Sequence, residues 1–237
     1  MANGPGTLRG VFDRRFYLTA AVAATLVVFA GFARTYYLRH AFDAPALSGL
    51  VHIHGLVMTL WFALFVTQTV LVAARRTDLH RRLGAAGAGL AILVMVIGVA
   101  TAITAARLGV SPGPPPLVFL AIPLGDILVF AVLVAAGLSL RRRVDAHRRL
   151  MLLSCVGILT PAIARIPLEF IRAGGPFVYF GLTDLCVLAC VAVDTARNRR
   201  LHPAFGWGAL VIVASQPLRL ALAGTPAWMR IATWLAG

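Results

Sequence analysis

Eight side chains suited to acid–base, ligand-binding or metal chemistry lie within or beside the long apolar runs of this sequence: His54, Trp61, Gln68, Asp126, Arg165, Glu169, Asp184 and Arg219. Ionisable groups are costly in such settings and usually face a bundle interior, where they pair, relay protons or hold a ligand. His54, Met58, Trp61, Phe65 and Gln68 fall on one helical stripe, which marks a bundle-facing side. His52 and His54, two apart, point to nearly opposite faces and cannot chelate one metal together, which singles out His54. Arg165 and Glu169 are four apart and can pair within one helix. Pro161 and Pro167 bracket that region and free backbone carbonyls beside it. Two cations, Arg165 and Arg219, set against Asp126, Glu169 and Asp184 could simply lock helices together. The neighbouring His54, Gln68, Trp61 and Tyr179 favour instead a site for a ligand, quinone, ion or proton.

A second set of histidines sits in a repeated unit. Residues 75–83 read RRTDLHRRL and residues 142–150 read RRVDAHRRL, and a weaker copy, RRLH, occupies residues 199–202. Each copy carries one histidine: His80, His147 and His202. Asp78 and Asp145 are placed to cap the helices that follow, Pro203 suits a first helical turn, and the arginines suit lipid headgroups. Neither role requires histidine. Two imidazoles at one depth can hydrogen-bond at the membrane interface, hold a haem iron or another metal, or pass protons. His54, His80 and His147 are the candidate ligands.

The elements that must position these groups follow from composition. Of the 237 residues, 60% are hydrophobic and 13% charged, with mean hydropathy +0.88, against roughly half and a quarter in soluble domains. The apolar residues come in runs long enough to cross a hydrocarbon layer about 30 Å thick. Seven spans are expected, at roughly 16–33, 51–74, 83–106, 117–140, 150–171, 176–196 and 206–223. They make an all-α polytopic transmembrane bundle in one domain, 1–237. The first run is long for a signal peptide and lacks a small-residue cleavage site, so it reads as a retained helix. All basic residues are Arg. Fifteen of the 22 fall in the N-terminus and alternate loops, which places those loops and the N-terminus in the cytoplasm. The spans divide into a leading helix and three hairpins, at about 51–107, 117–172 and 176–223, resembling parallel repeats. With that orientation the intramembrane charges gather in the outer half. Residues 224–237, with Trp228, Arg230 and Trp234, read as an interfacial anchor.

The run HG-x5-WF-x5-Q-x6-RR-x3-HRRLG (His54 to Gly84), followed by HRRLM (His147 to Met151), resembles small, uncharacterised bacterial multi-helix membrane families. Some relatives of that type are associated with cytochrome oxidase assembly or look like cytochrome b561. The resemblance implies a respiratory or haem-related role in the bacterial inner membrane, with His54, His80 and His147 as the matching histidines. Haem b or quinone is then the expected cofactor. The expected partners are membrane lipids and a respiratory complex or a second copy of the chain. A proton- or ion-coupled transporter and a structural or assembly subunit are the rival expectations. The distribution of charge excludes nucleic acid as a partner, and the absence of Lys excludes Schiff-base chemistry. No HExxH, GxSxG or Gly-rich phosphate loop supports hydrolase or nucleotide chemistry. The cysteines, Cys155, Cys186 and Cys190, read as small buried residues.

Overall fold

A computed structural model of the chain describes residues 5–237, with side chains from Asp13 onward; the Arg9 side chain, counted among the N-terminal charges, lies outside the described residues. All regular elements among them are helical. α1 (Pro5–Phe32) passes through a π-helical turn (Ala33–Tyr37) and a 3-10 turn (Arg39–Phe42) into α2 (Gly49–Ala73) and α3 (Thr77–Arg107). Next come α4 (Pro116–Phe119), α5 (Ala121–Ser139), α6 (Val144–Val156) and α7 (Thr160–Ile163). The last three are α8 (Glu169–Asn198), α9 (Pro203–Ala223) and α10 (Pro226–Ala236). Six helices are long and apolar enough to cross a membrane: Asp13–Tyr37, Gly49–Ala73, Thr77–Arg107, Pro116–Ser139, Glu169–Asn198 and Pro203–Ala223. Leu26, Leu56, Ile92, Leu128 and Leu185 point outward from five of them. Such a surface is stable against hydrocarbon and not against water. The chain is an all-α, multi-pass membrane protein.

The expected crossing at 150–171 is not a continuous helix. α6 ends at Val156, α7 is a single turn, and irregular backbone leads to Leu168, which is extended (φ −107°, ψ 130°). Gly157 has low helix propensity, and Pro167 removes a backbone donor and disfavours helix at the preceding residue. The segment nevertheless runs alongside α1 from end to end. Arg148 on α6 bonds Asp13 near the start of α1, and the Ala162 backbone lies so close to Gly31, near its end, that any Cβ there would overlap it. α6 is the axis of the bundle, packed by α1, α5, α8 and α9. Leu152, Leu153, Ser154 and Cys155 are fully buried. Irregular backbone at membrane depth is tolerated where protein surrounds it in this way.

Two smaller expectations change. α8 starts at Glu169 rather than 176 and absorbs the Gly-Gly-Pro stretch through a kink at Gly175 (φ 56°, ψ −147°), which Pro176 follows. Asp78 and Asp145 do not cap α3 and α6. The cap positions are Arg76 and Arg143, without side-chain hydrogen bonds, and both aspartates lie in the first helical turn. There their charge faces the positive end of the helix. The side-chain cap at this end of the bundle is His202, whose Nδ1 accepts from the Ala204 N–H at 3.1 Å, with Pro203 at the first helical position as expected. α10 covers the far ends of α3, α4 and α9. Trp228 is buried there and donates from Nε1 to the Leu117 carbonyl at 2.8 Å, while Trp234 stays exposed.

Candidate functional site

Three helices bring the densest intramembrane polar group together. Arg219 on α9 is 7% exposed and forms an ion pair with Oδ1 of Asp126 on α5, itself 7% exposed. The rest of the guanidinium is held by Ser215: Nε donates to its carbonyl at 3.1 Å and Nη2 to its hydroxyl at 2.9 Å. Nη1 also reaches the Ile122 carbonyl at 3.3 Å, and the Phe180 ring lies 5.4 Å from the guanidinium carbon. The Arg219 stem passes over Gly125, where a Cβ would collide with its methylenes, so a glycine is what admits the arginine. Asp126 Oδ2 is buried without a hydrogen-bond partner among the described residues.

One turn away, Gln216 of α9 donates to Asp184 Oδ1 of α8 at 2.7 Å. Tyr179, on the same helix, lies within electrostatic reach of Asp126. Pro217 stands between the two polar residues of α9 and lacks the N–H that would continue the helical ladder. The break between α6 and α7 abuts this group. Thr160 and Thr183 hydroxyls bond at 3.0 Å, and Thr183, which also donates to the Tyr179 carbonyl, immediately precedes Asp184. A carboxylate with a spare oxygen, a fixed guanidinium, a second carboxylate and interrupted helices thus meet in one place. That arrangement can take up a proton or hold a small polar ligand.

Of the predicted residues, Asp126, Asp184 and Arg219 belong to this group; the others lie elsewhere. Arg165 is exposed, donates to the Pro161 carbonyl at 2.8 Å and lies over Phe32 at 4.9 Å. Its expected pairing with Glu169 is absent, because the broken backbone puts Glu169 at the exposed start of the next helix. His54 is half-buried, within electrostatic reach of Arg165. Trp61 is buried edge-on to Phe130, 5.0 Å between ring centres, and its Nε1 has no partner among the described residues.

Gln68 belongs to the histidine end. His80 and His147 face each other with ring centres 6.4 Å apart. His147 Nδ1 is 2.8 Å from the Gly137 carbonyl and must donate to it, which leaves Nε2 as an acceptor. The Gln68 amide is best satisfied with its nitrogen donating to His80 Nδ1 (2.5 Å) and its oxygen accepting from the Gly84 N–H (3.1 Å). His80 then carries its proton on Nε2. His54 lies fourteen residues from Gln68, about 21 Å along α2, so it cannot join the other two as a ligand. His202 lies in a third place, at the start of α9. Among the described residues no three of His, Cys, Asp and Glu converge to hold a metal ion.

Sequence reasoning missed one pair. Arg149 and Asp194 are each 2% exposed and bonded through two parallel contacts, Nε to Oδ2 at 3.0 Å and Nη2 to Oδ1 at 2.8 Å. Nη1 donates to the Asp145 carbonyl at 2.7 Å, and Phe205 covers the guanidinium. The usable signal was Asp194 itself, a carboxylate inside the apolar run CVAVDTA. The buried charges therefore occupy both halves of the bundle, not one. Asp13 binds Arg148 (3.1 Å) and Arg197 (2.9 Å) beside this pair.

Fold and site together define a multi-pass membrane protein with a broken central segment, α6–α7, and two buried arginine–aspartate pairs. No family model, curated protein or solved structure matches the chain.

Proposed function

We propose that the chain is a proton- or ion-coupled carrier of a small polar molecule in the bacterial inner membrane, with its N-terminus and arginine-rich loops in the cytoplasm. The observation that carries this reading is the buried Asp126 Oδ2, which has no partner among the described residues while Oδ1 is held by Arg219. A bracing ion pair satisfies all its buried polar atoms, because each one left unmade costs about 1–3 kcal/mol. A pair that leaves a carboxylate oxygen free has a place for a proton or a ligand donor. The adjoining break in α6–α7 supports the same reading, since coupled carriers build their sites from interrupted helices. Asp126 is the proton or ion acceptor, Arg219 the group that fixes it, and Asp184 with Gln216 the second polar wall. The test is uptake into liposomes holding the purified protein under an imposed proton gradient, with a panel of labelled amino acids, organic acids and sugars. The wild type accumulates at least one of them and Asp126→Asn does not. Uptake unchanged by Asp126→Asn sinks this assignment.

A second reading, a redox protein holding haem iron or a metal between His80 and His147, has its own support. Two metal–nitrogen bonds of about 2.0–2.1 Å plus two imidazole radii give about 6–6.5 Å between ring centres, and the observed separation is 6.4 Å. Coordination through His80 Nε2 requires the Gln68 amide to turn, so that its oxygen accepts from Nδ1. Oxidised and reduced absorption spectra of the purified protein decide between the readings. A Soret band that disappears in His147→Ala favours haem, and with it a respiratory role. A quinone would more readily use the Asp126 group, and extraction of bound quinone from the purified protein tests that.

A further inference from the structure

The arginine-rich end of the bundle encloses a cavity of about 350 Å³ between α1, α6, α8 and α9. Its charges do not balance. Asp13 and Asp145 supply the two carboxylates of its wall. Arg149 is committed to Asp194, Arg148 binds Asp13 and also Asp145 at 2.6 Å, and Arg197 binds Asp13. Arg200 lines the same cavity, is exposed, and makes no ion pair or hydrogen bond among the described residues. Three guanidiniums, of Arg148, Arg149 and Arg200, thus line the cavity against two carboxylates, and Arg200 is the one without a partner among the described residues.

The wall also holds Asn198, whose amide nitrogen donates to the Asp194 carbonyl at 2.8 Å, and His202 as a donor. His202 spends Nδ1 as acceptor for the Ala204 N–H, so its proton is on Nε2. The N-terminal ends of α6 and α9 border the cavity and add partial positive charge, partly offset by the C-terminal end of α8. Asp13 and Asp145 also line the wall, but each is already engaged by arginine. A wall with surplus donors and one unpaired guanidinium recognises an acceptor-rich anion of low charge.

We propose that this cavity binds a phosphate group, held by Arg200 and the Nε2–H of His202. One excess positive charge matches a singly charged phosphodiester, the form carried by glycerophospholipid headgroups, and inorganic phosphate offers the same acceptors from solution. The site is separate from the Asp126 group and does not depend on the carrier reading.

The experiment is thermal unfolding of the purified full-length protein in neutral detergent at constant ionic strength. The probes are inorganic phosphate, phosphatidylglycerol in mixed micelles, and diacylglycerol, which lacks the phosphate. A ligand that binds the folded state raises the midpoint in a saturable way. The wild type is expected to respond to at least one phosphate-bearing probe and not to diacylglycerol. A response to inorganic phosphate identifies the soluble source; a response to phosphatidylglycerol alone identifies the lipid. Arg200→Gln, which removes no internal contact, weakens the apparent affinity at least tenfold. His202→Asp keeps α9 capped and puts a negative charge at the wall, which abolishes the response. A midpoint insensitive to both phosphate probes, an equal response to diacylglycerol, or an unchanged response in both variants overturns the proposal.

Discussion

The Arg149–Asp194 pair gives the sharpest energetic test of this fold. Asp194→Asn keeps the shape of the side chain and removes its charge, leaving a guanidinium that is 2% exposed with only the solvent-exposed Asp145 carboxylate, 3.6 Å from Nη1, beside it. The Asp145 carbonyl and the Phe205 ring stay in place, and the exposed Asp145 carboxylate compensates weakly because solvent screens it. Breaking a buried pair from one side costs about 3–5 kcal/mol. At about 1.4 kcal/mol per factor of ten, the folding equilibrium falls roughly two to three and a half orders of magnitude. Removing both charges with matched apolar volume, as in Arg149→Met with Asp194→Leu, should restore most of that loss, because neither ion then needs desolvating. The measurement is equilibrium unfolding in mixed micelles with rising dodecyl sulfate, followed by circular dichroism. The reasoning fails if Asp194→Asn stays within about 1 kcal/mol of wild type, or if the double variant is less stable than the single one.

Other outcomes follow from single contacts. Gly125→Ala places a methyl group against the Arg219 stem and should cost about 1–3 kcal/mol as an overpacked site, read as a lower unfolding midpoint. Thr160→Val removes the hydroxyl that ties α7 to Thr183; the expected loss is about 0.5–1.5 kcal/mol, since Thr183 keeps its bond to the Tyr179 carbonyl. Trp228→Phe deletes the donor to Leu117, and α10 should become cleavable near Gly224 in limited proteolysis while the rest of the bundle resists. His202 gives a pH dependence. Burial and the nearby Arg149 push its imidazole below the ordinary histidine range. The unfolded chain therefore takes up the proton first as the pH falls, so stability is full above the unfolded value of about 6.5 and declines below it. His202→Asn keeps a capping side chain, and its unfolding midpoint should fall less between neutral and mildly acid pH.

The repeated HRRL shows why the sequence was legible in outline and not in detail. The apolar runs are set by lipid, which acts on every residue of a span, so six of the seven expected spans could be read one segment at a time. What each charge does depends on which helix becomes the axis of the bundle. Arg81 and Arg82 follow His80 and are exposed; Arg148 and Arg149 follow His147 with the same letters, and Arg149 is 2% exposed. α3 lies at the periphery with one face to lipid, whereas α6 is enclosed by four helices, and nothing within nine residues distinguishes those fates. The Arg149 partner, Asp194, is 45 positions away. The same limit applies to Arg165 and Glu169, whose spacing fits one helix until Pro167 and the extended Leu168 separate them. Asp126 and Arg219 were selected correctly as buried charges, yet Ser215, Gln216 and Gly125, which position and admit them, carry no signal as single letters. The copied loop thus places one arginine against solvent and its counterpart in the core. The two buried pairs differ in one respect, on which the proposed carrier role rests: every polar atom of the Arg149–Asp194 contact is engaged, whereas Asp126 Oδ2 has no partner among the described residues.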